Sequence, residues 1–174
     1  DDGNQVPGDG CGARCQTEAQ PGRVMAGYNH ACRLDSEGGL ACWGRGSNGQ
    51  LGVGPTEGAT TPQAVEALGA LTDFCVGEAH TCALEEDGDV LCFGRNNLGQ
   101  LGMGRNDEQP MPQQVLLPEG AQGLACGQNH NCAIMANGNA QCWGNNNRGQ
   151  LGDPDSGNAS MVWPVPVHGI GSVE

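Results

Sequence analysis

A period of 50 residues runs through this sequence and restricts the folds that it can adopt. Residues 27–52, 77–102 and 127–152 align without gaps. Ten positions are identical in all three copies, and in the first copy they are Gly27, His30, Cys32, Gly38, Cys42, Gly44, Gly49, Gln50, Leu51 and Gly52. A repeat of about 40–50 residues, with short strand-like segments between glycine turns, is typical of β-propeller blades.

The glycines exclude a helical solenoid. An amphipathic helix needs apolar residues at i, i+3, i+4 and i+7 over about ten or more positions, and glycine interrupts each such stretch here. We therefore predict an all-β fold of about three four-stranded blades plus the start of a fourth. The predicted strands of the first repeat lie near residues 23–27, 30–35, 39–43 and 63–67. The predicted units are an N-terminal module at 1–20, blades at 21–70, 71–120 and 121–170, and the next repeat at 171–174.

Six cysteines follow the same period. Each repeat contains two of them, and the resulting pairs are Cys32 and Cys42, Cys82 and Cys92, and Cys132 and Cys142. The segment between the first two fits a three-residue hairpin loop at 36–38 that ends with glycine. In that register Cys32 faces Cys42 at a non-hydrogen-bonded position, where Cα atoms are about 4.5 Å apart. The spacing therefore predicts three cross-strand disulfides and an oxidising compartment.

Four cysteines lie outside this pattern. Cys75 and Cys126 precede the Gly-x-x-His motif of successive repeats and are one residue out of phase. They either bridge the inner strands of neighbouring blades or are small buried residues. The partners of Cys11 and Cys15, in the N-terminal segment, are open. Because no Cys-x-x-Cys pair is present, a zinc site is disfavoured.

The composition by itself resembles that of a disordered chain. Leu, Ile, Val and Phe total 28 of 174 residues, and the formal net charge is −13. Low apolar content with high charge is a mark of disorder, but regularly spaced core positions and disulfides replace the missing core here. No run of about 18 apolar residues is present to form a membrane helix. The acidic charge argues against nucleic-acid binding.

Three motifs of the second repeat carry a family resemblance. They are Gly-Glu-Ala-His-Thr-Cys-Ala-Leu at 77–84, Val-Leu-Cys-Phe-Gly at 90–94 and Asn-Leu-Gly-Gln-Leu-Gly at 97–102. These motifs recur in order, and over residues 21–170 the chain resembles the repeats of the regulator of chromosome condensation. The resemblance implies blades of a β-propeller, usually a seven-bladed one. Members of that family include a nucleotide-exchange factor for a small GTPase, accessory domains of ubiquitin ligases and a secreted bacterial β-lactamase inhibitor.

The number of repeats departs from the family. Closed propellers have about 4–8 blades, so these repeats belong to a longer chain, meet other chains or form an open arc. We expect an excerpt of a longer chain, because the sequence stops after Ser172-Val173-Glu174, shortly before the next Gly-x-x-His is due. An open arc exposes unpaired strand edges, which invite another chain.

The N-terminal segment resembles a different repeat. Residues 1–18 are similar to a Cys-rich repeat of surface proteins from myxobacteria and their relatives. The similarity implies a partial module on an exported bacterial protein, with Cys11 or Cys15 paired outside this chain. The weak calcium candidates in this segment are Asp1, Asp2, Asn4 and Asp9. An Asp/Asn/Gly-rich turn that bonds its own backbone explains them better, and no other cofactor is expected.

The periodic His30, His80 and His130 are the obvious candidates for catalysis. A residue that serves one active site is not needed in every blade. We therefore assign them a structural role, a hydrogen bond to backbone within the blade. The aromatic residues after the second hairpin cysteine, which we interpret as blade packing, are Trp43, Phe93 and Trp143. No hydrolase motif or phosphate loop is present, and we expect no enzymatic activity.

Recognition is expected where the repeats differ, because rigid scaffolds carry binding residues on variable loops. The repeats differ at 28–29 and 45–48, and most in the loops 53–61, 103–111 and 153–163. The candidate contact residues are Arg45, Arg95, Leu98, Arg105, Arg148 and Trp163.

These features predict a secreted or cell-surface, non-catalytic propeller module that binds an extracellular protein or glycan. The exported context argues against the exchange of nucleotides on a GTPase. Two alternatives remain. The first is an inhibitor of a secreted enzyme, and the second is a subunit of an extracellular filament or surface layer whose copies associate through open blade edges.

Overall fold

The computed structural model describes residues 22–169, which form three four-stranded antiparallel sheets. We call these sheets blades 1, 2 and 3. Blade 1 contains β1 (Arg23–Ala26), β2 (His30–Leu34), β3 (Leu40–Arg45) and β4 (Gly58–Ala64). Blade 2 contains β5 (Leu71–Val76), β6 (His80–Glu85), β7 (Val90–Gly94) and β8 (Gln109–Gln114). Blade 3 contains β9 (Ala121–Cys126), β10 (His130–Met135), β11 (Ala140–Gly144), a short 3-10 helix (Pro154–Ser156) and β12 (Met161–Pro166).

The strands of each blade pair in chain order, and the predicted all-β fold of disulfide-linked blades is confirmed. In blade 1, Cys32 faces Cys42 across β2 and β3, as the spacing predicts. Gly38 closes the loop with a φ of 84°, a left-handed value that favours glycine, and its N–H donates to the Asp35 carbonyl. The Cα atoms of Cys32 and Cys42 are 4.1 Å apart, and a disulfide joins the two residues. The equivalent disulfides are Cys82–Cys92 and Cys132–Cys142.

The outer strand of blade 1 starts earlier than the sequence predicts. It covers Gly58–Ala64 rather than residues 63–67. The strand before it continues to Arg45, which pairs with Gly58. The Gly-Ala-Thr-Thr segment at 58–61 does not alternate between apolar and polar residues. This part of the strand therefore lacks the sequence pattern that predicts a half-buried strand.

The apolar core lies largely between blades. Phe74 and Phe93 of blade 2 are fully buried in one cluster with Leu34 and Leu51 of blade 1. Val24, at the position equivalent to Phe74, is 62% exposed because no blade precedes it among the described residues. Each blade therefore buries its apolar residues against a neighbour, as stacked repeats do.

Several predictions concern residues outside the described range. They are the N-terminal module, the remaining cysteines Cys11 and Cys15, the calcium candidates Asp1, Asp2, Asn4 and Asp9, and the next repeat at 171–174. Between residues 22 and 169, no helix has the length and apolar character needed to cross a membrane.

Candidate functional site

One face of the blades collects most of the variable segments. Because the strands of a blade are antiparallel, the turn after its first strand and the loop after its third strand lie at the same end. We call this end the loop face. Its turns are 27–29, 77–79 and 127–129, and its loops are 46–57, 95–108 and 145–160. The opposite end, the hairpin face, carries the three disulfide-linked hairpin loops.

His30 crosses the boundary between blades 1 and 2, which we call seam 1–2. Its Nε2 lies 3.0 Å from Oγ1 of Thr81 in β6. The Thr81 hydroxyl donates its one proton to the Gln50 carbonyl of blade 1 at 3.1 Å, so Nε2 of His30 is the donor to Thr81. The expected bond to backbone within the blade is therefore wrong, because the partner is a side chain of the next blade.

Seam 2–3, between blades 2 and 3, repeats this link with an amide. Nε2 of His80 donates to Oδ1 of Asn131 at 2.8 Å, and Nδ2 of Asn131 donates to the Gln100 carbonyl at 2.6 Å. His130 is only half-buried, since no blade follows it among the described residues. This link was not predicted from the sequence, because the predictions used positions that are identical in all repeats. The residue that accepts the hydrogen bond differs: it is threonine in blade 2 and asparagine in blade 3.

Burial keeps the two seam histidines neutral. Desolvation lowers the pKa of His30 and of His80 to about 4. Their Nδ1 atoms are buried and have no hydrogen-bond partner among residues 22–169. Burial also lowers the pKa of His130. Each neutral imidazole is buried between two blades and packs against both of them. It has no open site in which to act as a base.

The glycine three residues before each histidine makes room for its ring. A Cβ on Gly77 would lie 2.0 Å from Cε1 of His80, and a Cβ on Gly127 would lie 2.1 Å from Cε1 of His130. The Gly-x-x-His motif is therefore one structural unit.

The aromatic residue after the second hairpin cysteine packs on the preceding blade. The ring of Phe93 is fully buried against Gly52 of blade 1, where a Cβ would approach it to 2.7 Å. Trp143 is equally buried, and its Nε1 donates to the Gln100 carbonyl of blade 2 at 3.0 Å. Trp43 has no preceding blade among the described residues and is half-buried.

A disulfide between Cys75 and Cys126 joins the inner strands β5 and β9 across seam 2–3. Of the two interpretations left open by the sequence, the structure contains the bridge. A ring nitrogen of His80 and the Sγ atoms of Cys82 and Cys126 lie within 4.8 Å of one another. Both cysteines are in disulfides, so this group offers no thiolate to a metal.

The predicted arginines of the loop face differ in their partners. Nη1 of Arg95 lies 3.5 Å from a carboxylate oxygen of Glu78. Nε of Arg105 lies 3.1 Å from a carboxylate oxygen of Asp107. Arg45 is exposed on the same face, and it has no ion pair with any residue between 22 and 169.

The other predicted contact residues are spread over the surface. Leu98 is half-buried, and its N–H donates to the side chain of Gln100. Arg148 is exposed in the loop of blade 3. Trp163 is 50% exposed in β12, the outer strand of that blade. The structure brings Arg45 and Arg95 together but does not bring these three residues into the same site.

Two hollows of the loop face adjoin Tyr28, whose side chain is 79% exposed. The smaller has a volume of about 80 Å³ and spans seam 1–2, with Arg45, Gln50, Glu78 and Arg95 in its lining. The larger, about 390 Å³, extends from the turn of blade 1 to that of blade 3. A third hollow of about 540 Å³ lies between the loops of blades 1 and 2. Positions 28–29 vary between the repeats, but Tyr28 was not among the predicted contact residues. Tyrosine there replaces the glutamate and glutamine of the other two turns.

Comparison with known families identifies the repeats. The model described as the regulator of chromosome condensation (RCC1) repeat matches residues 37–84 and 87–134, and a second model of that description matches 71–100 and 122–150. The chain belongs to the RCC1 repeat family. These RCC1 repeats are similar to the ultraviolet-B receptor UVR8 of Arabidopsis thaliana, with 40% identity over 45 residues, which are 26% of this chain and 10% of UVR8.

Two solved structures share the fold of the three blades. The chain superposes on yeast RCC1 (Prp20), solved with Kap60, with a TM-score of 0.75 at 22% identity, over 84% of this chain and 37% of Prp20. It superposes on human WBSCR16 with a TM-score of 0.78 at 22% identity, over 88% of this chain and 42% of WBSCR16. The chain therefore spans less than half the length of these solved propellers.

Proposed function

We propose that these RCC1 repeats form a non-catalytic protein-binding module whose contact surface is the loop face. One observation carries the proposal: the histidines, glycines and cysteines common to the repeats lie within the blades and seams, whereas most of the variable segments are exposed on one face. The histidines, which are the obvious catalytic candidates, are buried between blades. A rigid scaffold with variable loops at one end suits recognition.

The kind of partner is proposed from the fold and from the surface. Yeast RCC1 (Prp20), which has the same fold, was solved with the protein Kap60 bound. The hollows around Tyr28 combine an exposed aromatic ring with arginine and amide side chains, and aromatic residues and arginine are enriched at protein interfaces. Inhibition of a secreted enzyme would be one form of such binding, and glycan binding remains an alternative.

Site-specific photo-crosslinking tests the use of the loop face. A benzophenone amino acid at Asn97, exposed on the loop face of blade 2, should capture a protein from a surface extract of the native cells. The matched control places it at Glu86, exposed on the hairpin face of the same blade. Specific capture from Asn97 alone is expected, and equal capture from both positions would contradict the proposal.

We also propose that the module works in an oxidising compartment, as a secreted or surface protein. Four disulfides lie within residues 22–169, and disulfides persist mainly outside the reducing cytosol. The test is to alkylate thiols during lysis of the native cells and to weigh the intact protein. None of these eight cysteines should be alkylated, and a protein alkylated at them would point to a reducing compartment.

Association of two copies through their open blades is a weaker candidate. It places blade 3 of one copy against blade 1 of another. In that arrangement Ala31 would face His130 of the other copy, because Ala31 is equivalent to Thr81, the partner of His30. Alanine has no polar side-chain atom, so His130 would lack an acceptor.

The outer strands also disfavour this association. At each seam the loop of one blade donates a hydrogen bond to the outer strand of the next blade. The N–H of Gly54 donates to the Pro110 carbonyl at 2.9 Å, and that of Gly104 donates to the Val162 carbonyl at 2.8 Å. Pro154 stands at the equivalent position of blade 3 and has no N–H. Analytical ultracentrifugation should therefore find a monomer, and reversible oligomers at micromolar concentration would revive the filament hypothesis.

A further inference from the structure

The two seams differ on the loop face at positions that are equivalent in the repeats. In seam 2–3, Glu78 connects the two blades at the surface. Its Oε1 lies 3.5 Å from Arg95, and its Oε2 accepts from Nε2 of Gln128 at 2.8 Å and from Nδ2 of Asn129 at 3.1 Å. A carboxylate at this position therefore holds an arginine of its own blade and two amides of the next blade.

Seam 1–2 lacks that carboxylate. The residue equivalent to Glu78 is Tyr28, and the residue equivalent to Arg95 is Arg45. Nε of Arg45 donates to Oγ of Ser47 at 2.7 Å, and Arg45 has no carboxylate within 4.0 Å in the described part of the chain. The phenol of Tyr28 projects into solvent instead of closing the seam. An arginine that is paired in one blade is thus unpaired in another.

A second contact is missing in the same place. In seam 2–3, Nε2 of Gln100 donates to Oδ1 of Asn129 at 3.3 Å. The equivalent residues in seam 1–2 are Gln50 and Ala79, and alanine has no acceptor on its side chain. Oε1 of Gln50 accepts from the N–H of Asn48 at 2.9 Å, while its Nε2 has no acceptor between residues 22 and 169. Gln50 is only 1% exposed, yet it lines the hollow.

We propose that the hollow at seam 1–2 binds a carboxylate, supplied by an aspartate or glutamate side chain of a partner protein. Its two oxygens accept from the guanidinium of Arg45 and from Nε2 of Gln50. The carboxylate thereby takes the place that Glu78 has at Arg95 and the place that Asn129 has at Gln100. Hydrogen bonds between arginine and carboxylate are charge-assisted and stronger than neutral ones.

Size and charge favour a carboxyl group over larger ligands. The hollow has a volume of about 80 Å³, against about 390 Å³ for the neighbouring hollow, which favours a compact group such as a carboxyl. Glu78 also lines the hollow, but its charge is engaged by Arg95 and by two amides of blade 3. This inference rests on the proposed protein-binding function and names the group that is recognised.

The binding of a carboxylate is measured by NMR on the isotope-labelled chain. Sodium acetate is titrated against sodium chloride at equal ionic strength. The Arg45 Nε–H and the Gln50 side-chain amide signals should shift and saturate with acetate only. A short peptide with one central glutamate should bind at least tenfold more tightly than the same peptide with glutamine. Unmoved Arg45 and Gln50 signals, or equal binding of both peptides, would overturn the proposal.

Three variants locate the site. Arg45→Gln should weaken binding of the glutamate peptide at least tenfold. Arg105→Gln is the matched control, because it removes an arginine of the same face that already pairs with Asp107. Tyr28→Glu should also weaken binding, because it supplies the carboxylate from within the chain, and it should leave the fold intact. Equal losses from Arg45→Gln and Arg105→Gln would show general charge attraction and contradict a defined site.

Failure of this inference is separable from failure of the proposed function. If the crosslinks from Asn97 persist unchanged in Arg45→Gln, the loop face binds protein and the carboxylate site is wrong. If Asn97 yields no specific crosslink, the proposed function is wrong, whatever the acetate titration shows.

Discussion

The two seams use the same positions but different chemistry. In both, a histidine donates to a polar side chain of the next blade, and an aromatic ring of that blade covers a glycine of the preceding one. Seam 2–3 adds the disulfide between Cys75 and Cys126 and the hydrogen bonds of Glu78. Seam 1–2 adds an ion pair of 2.9 Å between Arg23 and Asp73, with the Arg23 guanidinium 5.7 Å from the centre of the Phe74 ring.

The difference between the seams suits two different roles, one structural and one in binding. Seam 2–3 is covalently linked, and Glu78 connects its two blades on the loop face, which suits a scaffold. Seam 1–2 has no disulfide among the described residues, and there Arg45 has no carboxylate partner and Nε2 of Gln50 has no acceptor, which suits a binding site. The repeats thus provide equivalent positions whose side chains link the blades in seam 2–3 and, in our proposal, bind a partner at seam 1–2.

The largest effect is expected from removing a buried seam aromatic. Phe93→Ala should lower the free energy of unfolding by about 3–5 kcal/mol, because the cavity and the lost transfer energy add. Trp143→Phe should cost less, because it keeps an aromatic ring and loses one hydrogen bond to the Gln100 carbonyl while leaving a smaller cavity. Urea unfolding measures both. A loss below about 1 kcal/mol for Phe93→Ala would show that the blades do not share a core.

The next effect concerns the disulfides. Replacing both Cys75 and Cys126 with alanine should cost about 4 kcal/mol, because the bond closes a sequence separation of 51 residues. The matched control replaces Cys32 and Cys42, whose bond closes a separation of 10 residues, and should cost about 3 kcal/mol. Chemical unfolding without reductant compares them. A larger loss for the hairpin pair would contradict the expectation that the bond closing the longer loop contributes more to stability.

Mild acid should weaken both seams. The unfolded chain binds protons on His30 and His80 below pH 6.5, whereas the folded chain stays neutral there until about pH 4. The unfolded state therefore binds more protons in this window, and stability falls as the pH decreases from 6.5 to 4. Each histidine should contribute up to about 3 kcal/mol of this loss. A free energy of unfolding that stays constant between pH 7 and pH 5 would contradict the buried neutral imidazoles.

The smallest effect is expected at the surface of seam 1–2. Arg23→Ala should cost about 1 kcal/mol or less, because the ion pair with Asp73 is partly exposed and the contact with Phe74 adds little. The loss should shrink in 1 M salt, where charges are screened. A loss of several kcal/mol that is insensitive to salt would mean that Arg23 supports the seam by packing rather than by charge.

Strict periodicity made one part of the fold predictable from the sequence. The three hairpin disulfides and their register depend on local spacing, and the position of Gly38 was enough to derive the pairing of Cys32 with Cys42. Cys75 and Cys126 were harder, because their bond depends on how two blades lie against each other. That geometry is set by the packing of Trp143 of blade 3 on blade 2, which no local pattern encodes.

The candidate site was predicted only in part. Arg45 and Arg95 were selected from the variable segments, but their different partners became visible only when the seams were compared. Tyr28 and Gln50 were missed for opposite reasons. Tyr28 was one variable residue among many, and Gln50 is identical in every repeat, whereas the partner that it lacks is determined by Ala79 of the next blade.

Peptide mapping under non-reducing conditions tests the seams most directly. The chain has no lysine, so trypsin cuts only after arginine, and Cys75 falls in the peptide 46–95 while Cys126 falls in the peptide 106–148. With free thiols blocked before digestion, these two peptides should be isolated as one linked species, and peptides 24–33 and 34–45 as another. Reduction should separate both species. Recovery of peptide 46–95 without peptide 106–148 would contradict a covalent link between blades 2 and 3.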